Sequence, residues 1–253
     1  MENQKSNLQI VISDSREQLG AQAANAVFNK VTELLKEKKH INMIFAAAPS
    51  QNEFFSSLLE KDIDWTRINA YHMDEYVGLK EDAPQGFGNF LRRSIFDKVT
   101  FNAVNFLNGN AENLEDECHR YSSLLQENPA DIVCMGIGEN AHIAFNDPHV
   151  ANFNDKSLVK VVDLDQQCRN QQVNDGCFSS IDQVPTHALT LTVPALVNAD
   201  FIFCMVPGEK KANAVFNTLN GEINEKYPSS IIRKHPAAML FLDKESSSLL
   251  YSH

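Results

Sequence analysis

The chain has 253 residues, 43% of them hydrophobic and 22% charged, enough for one large α/β domain or two small ones with most of the apolar surface buried. Its formal net charge of -11 argues against nucleic acid as the main partner, because gripping a phosphate backbone needs a clustered excess of Lys and Arg; a few local cations would still suffice for a phosphorylated metabolite. The amino terminus Met-Glu-Asn-Gln-Lys-Ser-Asn has no apolar signal-peptide core, and no run approaches the roughly 18 apolar residues of a membrane span, so a cytoplasmic protein with no membrane partner is expected.

Leu8–Ile12 reads as a first strand, and Ser15-Arg16-Glu17-Gln18 as a capping box that opens a helix. Leu19, Ala23, Val27, Val31 and Leu34 recur at helical spacing up to the charge run Lys36-Glu37-Lys38-Lys39, most simply a solvated helix end. Strand Ile41–Ala47 delivers Ala48-Pro49-Ser50-Gln51 to an apolar helix beginning near Phe54. Small residues, a proline and a hydroxyl ahead of a helix suit an anion, because free N–H groups point outward there and the dipole favours negative charge. The same residues also make an ordinary N-cap, and no G-x-x-x-x-G-K-[ST] pattern is present.

Strand Ile68–Met73 ends in His72, Asp74 and Glu75. Adjacent carboxylates beside a histidine at a strand's end can supply a base for proton abstraction, although Asp74 would equally cap a turn. After a strand at Val104–Leu107, the apolar run Ile132–Met135 is closed by Gly136-Ile137-Gly138-Glu139-Asn140-Ala141-His142, followed by Ile143-Ala144-Phe145-Asn146-Asp147-Pro148. A buried strand that ends in glycines and then polar groups delivers a loop where open α/β sheets place their ligands. An imidazole can exchange protons in acid/base chemistry, and Asp147 is close enough along the chain to orient His142, the parts of an acid/base pair; a hydrogen-bonded loop histidine without chemistry is the other reading.

The segment 147–183 is polar and weakly periodic, suited to a lid. Strands at Ala188–Val193, Phe201–Val206 and Ala238–Leu242 complete the series, and Pro207-Gly208-Glu209-Lys210-Lys211-Ala212 follows the second of them. Two lysines opening a helix oppose its dipole, so an anionic ligand would explain at least one; otherwise they are an exposed pair. Five cysteines (Cys118, Cys134, Cys168, Cys177, Cys204) form no C-x-x-C pair, which points to structural thiols and no metal site. Strands separated by helix-length crossovers, without a linker or repeat, predict one Rossmann-like α/β domain with a mainly parallel open sheet and helices on both faces.

Three of these stretches together, Met73-Asp74-Glu75-Tyr76-Val77-Gly78-Leu79, Gly136-x-Gly138 with His142-Ile143-Ala144-Phe145-Asn146-x-Pro148, and Pro207-Gly208-x-x-Lys211-Ala212, resemble the glucosamine-6-phosphate deaminase (isomerase) family over nearly the whole chain. The related 6-phosphogluconolactonases share the fold and a glycine-histidine loop, but the Met-Asp-Glu-Tyr and Ala-Phe-Asn strings resemble the deaminase side. The resemblance implies a deaminase-like hydrolase/isomerase that opens an amino-sugar phosphate ring, isomerises it to the ketose and releases ammonia, with no metal or organic cofactor. A homo-oligomer is compatible with it, as is a monomer.

Carried over residue by residue, the resemblance makes Asp74 the base that moves a proton between C2 and C1, His142 the ring-opening histidine, Asp147 (a glutamate in the family) and Asn140 the groups that hold it, and Lys211 with Ser50 and Gln51 the phosphate grip, beside Gly138. Arg169 is the candidate for a phosphate arginine from the lid. This chain has Asn140-Ala141 where the family has Asp-Gly, and Ala47-Ala48-Pro49-Ser50 where it has Thr-Gly-Gly-Thr. A lactonase would use His142 without needing Asp74, and a silent sugar-phosphate binder would keep only Ser50 and Lys211.

Overall fold

The computed structural model describes residues 8–251; the stretch Met1–Asn7, read above for a signal peptide, lies outside the described residues. In chain order the elements are β1 (Gln9–Ser13), α1 (Arg16–Glu37), β2 (Ile41–Phe45), α2 (Asn52–Leu59), β3 (Ile68–His72), β4 (Asp74–Tyr76), α3 (Phe87–Leu91), β5 (Ala103–Asn105), α4 (Leu114–Glu127), β6 (Ile132–Met135), β7 (Val159–Asp163), α5 (Gln166–Asn174), β8 (His187–Leu191), α6 (Val193–Val197), β9 (Phe201–Val206), α7 (Ala212–Asn220) and β10 (Ala238–Asp243). Among the described residues no helix is long and apolar enough to cross a membrane.

Seven strands form one parallel sheet in the order β1-β10-β9-β6-β2-β3-β5. Side chains alternate across it, as the two-residue period requires. Met43, Cys134, Phe203 and Phe241 join the apolar cluster under α1, α2 and α3, whereas Ile44, Val133, Cys204 and Leu240 join the cluster under α4, α6 and α7. The sheet is therefore covered on both faces, which explains why its strands read as near-continuous apolar runs. The whole fold is a single domain.

Ser15 caps α1 by accepting from the Gln18 N–H, and the Gln18 side chain reaches back to the Asp14 N–H at 3.0 Å. The buried stripe is Leu19, Ala23, Val27 and Val31. The charge run after it is more than a solvated end: Lys38 is paired with the buried Asp131 at the start of β6, and with Asp200 at 3.4 Å.

One predicted strand belongs elsewhere. The segment read as Ala188–Val193 is β8, the middle strand of a separate antiparallel sheet, β4-β8-β7, and not part of the parallel sheet. The polar stretch expected as a lid holds both β7 and α5, whose buried side is Cys168, Gln171 and Gln172. The strands β4 and β7 escape a periodicity search because one is three residues long and the other alternates Val and Lys for only a single step.

Strand order reverses between β2 and β6. From β2 the chain steps outward to β3 and β5, then returns to β6 on the other side. The loops leaving β2 and β6 consequently diverge and leave a crevice at the carboxyl ends of the strands.

Candidate active site

A cavity of about 640 Å³ occupies this crevice. Five parallel strands feed it from their carboxyl ends: Arg16 follows β1, Ala46–Ser50 follow β2, Met73 and Asp74 follow β3, Gly136–Gly138 and His142 follow β6, and Pro207–Lys211 follow β9. Gln171, Gln172 and Asp175 of the α5 region close one side.

The loop after β6 is wound tightly around its histidine. The Gly138 N–H donates to the His142 carbonyl at 2.9 Å, and the Ala141 N–H donates to the Gly138 carbonyl at 3.0 Å. Closing this turn puts Ala141 at a φ of 67° and Ala144 at 49°, a region that costs a residue with a Cβ about 1–2 kcal/mol. A glycine would adopt that conformation at no such cost. Gly138 meets a different demand: a Cβ there would lie 2.2–2.4 Å from three atoms of the His142 ring, so only a bare backbone lets the imidazole pack against it.

His142 Nδ1 faces two acceptors, Asn140 Oδ1 at 2.7 Å and Asp147 Oδ1 at 3.0 Å. Both require a hydrogen on Nδ1, which leaves Nε2 to exchange a proton with a ligand in the cavity. Asp147 is fully buried. Burial raises its pKa, but the hydrogen bond and charge of His142, with the amide of Asn140, outweigh that and hold it below the usual carboxylate range. The carboxylate thus stays ionised beneath the imidazole.

Asp74 sits at the junction of β3 and β4, 6% exposed and lining the cavity. Burial, reinforced by the adjacent Glu75 charge, pushes its pKa well above that of an ordinary carboxylate. Glu75 turns away, accepting from the N–H groups of Tyr76, Phe87 and Gly88 at 2.8–2.9 Å and so fixing the start of α3. His72, read from the sequence as a partner for these acids, is a strut. Its Nδ1 donates to the Asp74 carbonyl at 2.9 Å and its Nε2 accepts from the Leu107 N–H at 2.9 Å. Burial pulls its pKa down to about 4, so the neutral ring holds the backbone of Asp74 and does not titrate near neutrality.

The opposite end of the cavity is cationic. Gly208, at φ 93°, donates its N–H to Asp243 Oδ2 at 2.9 Å, and the chain then enters a short 3-10 turn (Glu209–Lys211) leading into α7. Lys211 lines the cavity, and no hydrogen bond or ion pair joins its ammonium to any described residue. Burial lowers its pKa against the through-space pull of Asp175 and Glu139. Ser50 lines the cavity from the β2 side.

Two expected ligand-binding residues lie elsewhere. Gln51 is fully buried, its Nε2 turned inward to Ser50 Oγ at 3.2 Å and the Met205 carbonyl at 3.5 Å, so it ties the β2 loop to β9 and does not face the cavity. Arg169 projects from α5 away from the cavity, donating to the carbonyls of Ile181 and Val184 at 2.7–3.3 Å; its fork is engaged in holding the segment after α5. The arginines that do line the cavity are Arg16, paired with Glu53 at 3.1 Å, and Arg93, bound to the Pro84 carbonyl at 2.7 Å. Arg16 was legible only as a capping-box residue, although its place at the carboxyl end of β1 was the available signal. Arg93 carries no motif.

An open parallel sheet whose strand ends bring a perturbed carboxylate, an oriented histidine and a lysine without a hydrogen-bond or ion-pair partner among the described residues into one crevice defines an α/β protein with a candidate acid/base site beside a cation. Residues 14–241 match the family described as glucosamine-6-phosphate isomerases/6-phosphogluconolactonase, and the chain belongs to that family. It is 37% identical over 223 residues, 86% of this chain and 92% of the other, to a glucosamine-6-phosphate deaminase of Streptococcus sanguinis strain SK36. A deaminase of Bacillus cereus strain B4264 is 33% identical over 226 residues, 89% of this chain and 84% of that one. A solved monomeric glucosamine-6-phosphate deaminase superposes with a TM-score of 0.87 at 30% identity, covering 96% of this chain and 100% of that one. The 6-phosphogluconolactonase of Thermotoga maritima, at 19% identity and a TM-score of 0.76 over 94% and 100% of the two chains, shares the fold.

Proposed function

We propose that the chain is a glucosamine-6-phosphate deaminase, converting glucosamine 6-phosphate and water to fructose 6-phosphate and ammonia. The observation that carries this reading is Asp74: a buried carboxylate with a raised pKa lines the same cavity as the oriented His142. Opening a lactone needs the histidine alone, whereas moving a proton from C2 to C1 needs a second base whose pKa lies nearer neutrality.

In this mechanism the 6-phosphate lies between Ser50 and Lys211, where the helix start and an ammonium without a protein partner favour an anion. His142 Nε2 takes the proton of the C1 hydroxyl and returns it to the ring oxygen, while Asp147 and Asn140 hold Nδ1–H. Asp74 then removes the C2 proton of the open chain while the C1 oxygen takes up a proton and the ammonium gives one up, and it delivers the C2 proton to C1. One carboxylate can serve both carbons because the planar enolamine keeps one face toward it. The resulting C2 imine adds water and loses ammonia.

The test is release of ammonia and ketose phosphate from a panel of hexosamine 6-phosphates, run beside 6-phosphogluconolactone. Ketose formation from glucosamine 6-phosphate supports the reading. Turnover of the lactone alone overturns it.

A further inference from the structure

The sequence suggested structural thiols and no metal site, yet the fold brings Cys168 of α5 against the His142–Asp147 pair. One ligand atom from each of His142, Asp147 and Cys168 lies within 4.8 Å of those of the other two, and all three residues are buried. Imidazole nitrogen, carboxylate oxygen and thiolate sulfur are the donor types of zinc, which takes three protein ligands and leaves a fourth position open at accessible sites. A second observation points the same way: Asp147 is fully buried, its Oδ2 meets no nitrogen or oxygen donor, and the weakly donating Cys168 thiol is the further group against the carboxylate. A buried carboxylate oxygen with no donor stronger than a thiol is costly unless something positive faces it.

We propose that His142, Asp147 and Cys168 form a site for one Zn²⁺ ion, and that its occupancy switches His142 off. Charge balance favours it. Zn²⁺ with one carboxylate, one thiolate and a neutral imidazole sums to zero, so the filled site adds no net charge to a dry region. The chemistry closes as well. The Cys168 thiol loses its proton to solvent and binds through sulfur; the hydrogen on His142 Nδ1 gives way to the metal, and Nε2 carries the ring hydrogen instead. Nε2 is the atom left for the ligand, so a metal-bound His142 can no longer accept a proton there. Ligand distances of about 2.0–2.3 Å around zinc require the three donor atoms, now within 4.8 Å of one another, to close in on the ion, and the metal enters from the cavity that His142 lines. Asn140 Oδ1, 2.7 Å from Nδ1, or a cavity water supplies the fourth donor.

The experiment uses the intact protein, with Co²⁺ as a spectroscopic probe and Zn²⁺ as competitor. The parent protein is expected to show a thiolate-to-Co²⁺ charge-transfer band that one equivalent of Zn²⁺ abolishes. Cys168→Ser is expected to lack the band and to bind Zn²⁺ at least about 100-fold more weakly, since loss of an outer-shell partner alone costs 10–100-fold. Its turnover of glucosamine 6-phosphate is expected to match that of the parent while resisting Zn²⁺, and a chelator is expected to restore the inhibited parent. Cys168→Ala, checked by thermal melting, stands in if the serine variant does not fold. A band that persists in Cys168→Ser, no band in the parent, or equal Zn²⁺ affinity in both proteins overturns the site and leaves Cys168 as a weak donor to Asp147. The spectroscopic arms contain no substrate, so their failure leaves the proposed deaminase activity untouched, and failure of that activity leaves them interpretable.

Discussion

Nδ2 of Asn140 donates to Oδ1 of Asp147 at 2.9 Å, and this contact decides which way the amide faces. With Nδ2 committed to the carboxylate, Oδ1 of Asn140 turns to the His142 backbone N–H at 3.1 Å and to Nδ1 at 2.7 Å. Asn140 is therefore a relay between the imidazole of His142 and the carboxylate of Asp147. The amide presents an acceptor to the histidine as a carboxylate would, and its donor side settles against the buried acid, where a second carboxylate would repel it.

Asn140→Asp would set two carboxylates in hydrogen-bond contact and add a second charge beside the imidazole. A nearby anion favours protonated histidine, so the histidine limb of the pH–rate profile is expected to move upward relative to the parent, with faster turnover of the cyclic substrate. NMR titration of His142 and pH-resolved kinetics check both. A slower enzyme with an unmoved limb would mean that the two acids share a proton and the added charge never reaches the ring.

Asp74→Asn separates catalysis from stability. Turnover is expected to fall on the order of 10²–10⁴-fold, the usual worth of a positioned base, with ligand binding largely kept. Stability should move the other way. Burial raises the folded-state pKa of Asp74, so the folded protein holds the proton more tightly than the unfolded chain; the stability this gives is full below the unfolded pKa and is lost as pH rises through the folded one. The always-neutral Asn keeps it. Above that pH the variant is expected to gain about 1 kcal/mol, roughly 2–4 °C in Tm for a domain of this size. Near-normal solvent-deuterium exchange at C2 in the variant would remove Asp74 from the mechanism.

Much of this architecture was legible because buried parallel strands advertise themselves. All seven strands of the main sheet correspond to apolar runs picked out in the sequence, and the loops holding Asp74, His142 and Lys211 were found because they terminate such runs. What stayed hidden was set by tertiary contact. Nothing local to Ala188–Leu191 says that it pairs with Asp74–Tyr76 and not with the parallel sheet. Arg169 sits in the right segment, but the helical rotation of α5 points it at the carbonyls of Ile181 and Val184 and points Cys168 at Asp147. Similarly, His72 looked chemical by proximity, and only the Leu107 N–H and the Asp74 carbonyl show it to be a strut.

Lys211→Met tests the cationic end. A hydrogen bond to a charged group is worth about 1.5–3 kcal/mol, so glucosamine 6-phosphate should bind roughly 10- to 150-fold more weakly while unphosphorylated glucosamine is little affected. Burial lowers the folded-state pKa of this lysine, which means the unfolded chain binds its proton more tightly and the charged ammonium opposes folding below that pKa. The variant is thus expected to melt no lower than the parent at neutral pH, and inorganic phosphate should raise the Tm of the parent only. Equal losses for both sugars would make the lysine structural.

Gly138→Ala addresses the histidine through its packing and not its chemistry. The new methyl would lie 2.2 Å from Cε1, 2.3 Å from Nε2 and 2.4 Å from Nδ1 of His142, far inside contact distance, so either the ring rotates or the loop opens. Rotation breaks the 2.7 and 3.0 Å contacts to Asn140 and Asp147; opening breaks the 2.9 Å bond from the Gly138 N–H to the His142 carbonyl. In both cases Nε2 leaves its aim, and a displacement of about 1 Å at a reacting group can cost roughly 100-fold in kcat. The proposed phosphate grip comes from the ends of β2 and β9, so KM should change little. Gly136→Ala is the matched comparison: its methyl would meet Gln51 Nε2 at 3.2 Å, the Met205 carbonyl at an ordinary contact distance of 3.4 Å and Ser50 Oγ at 3.5 Å, the tightest of them a contact a side chain can relieve, and any effect should appear in KM. Steady-state kinetics of the two variants are expected to show kcat lost in the first and largely kept in the second. The same loss in both would mean that the glycines serve the fold of the loop as a whole and that His142 needs no bare backbone beneath it.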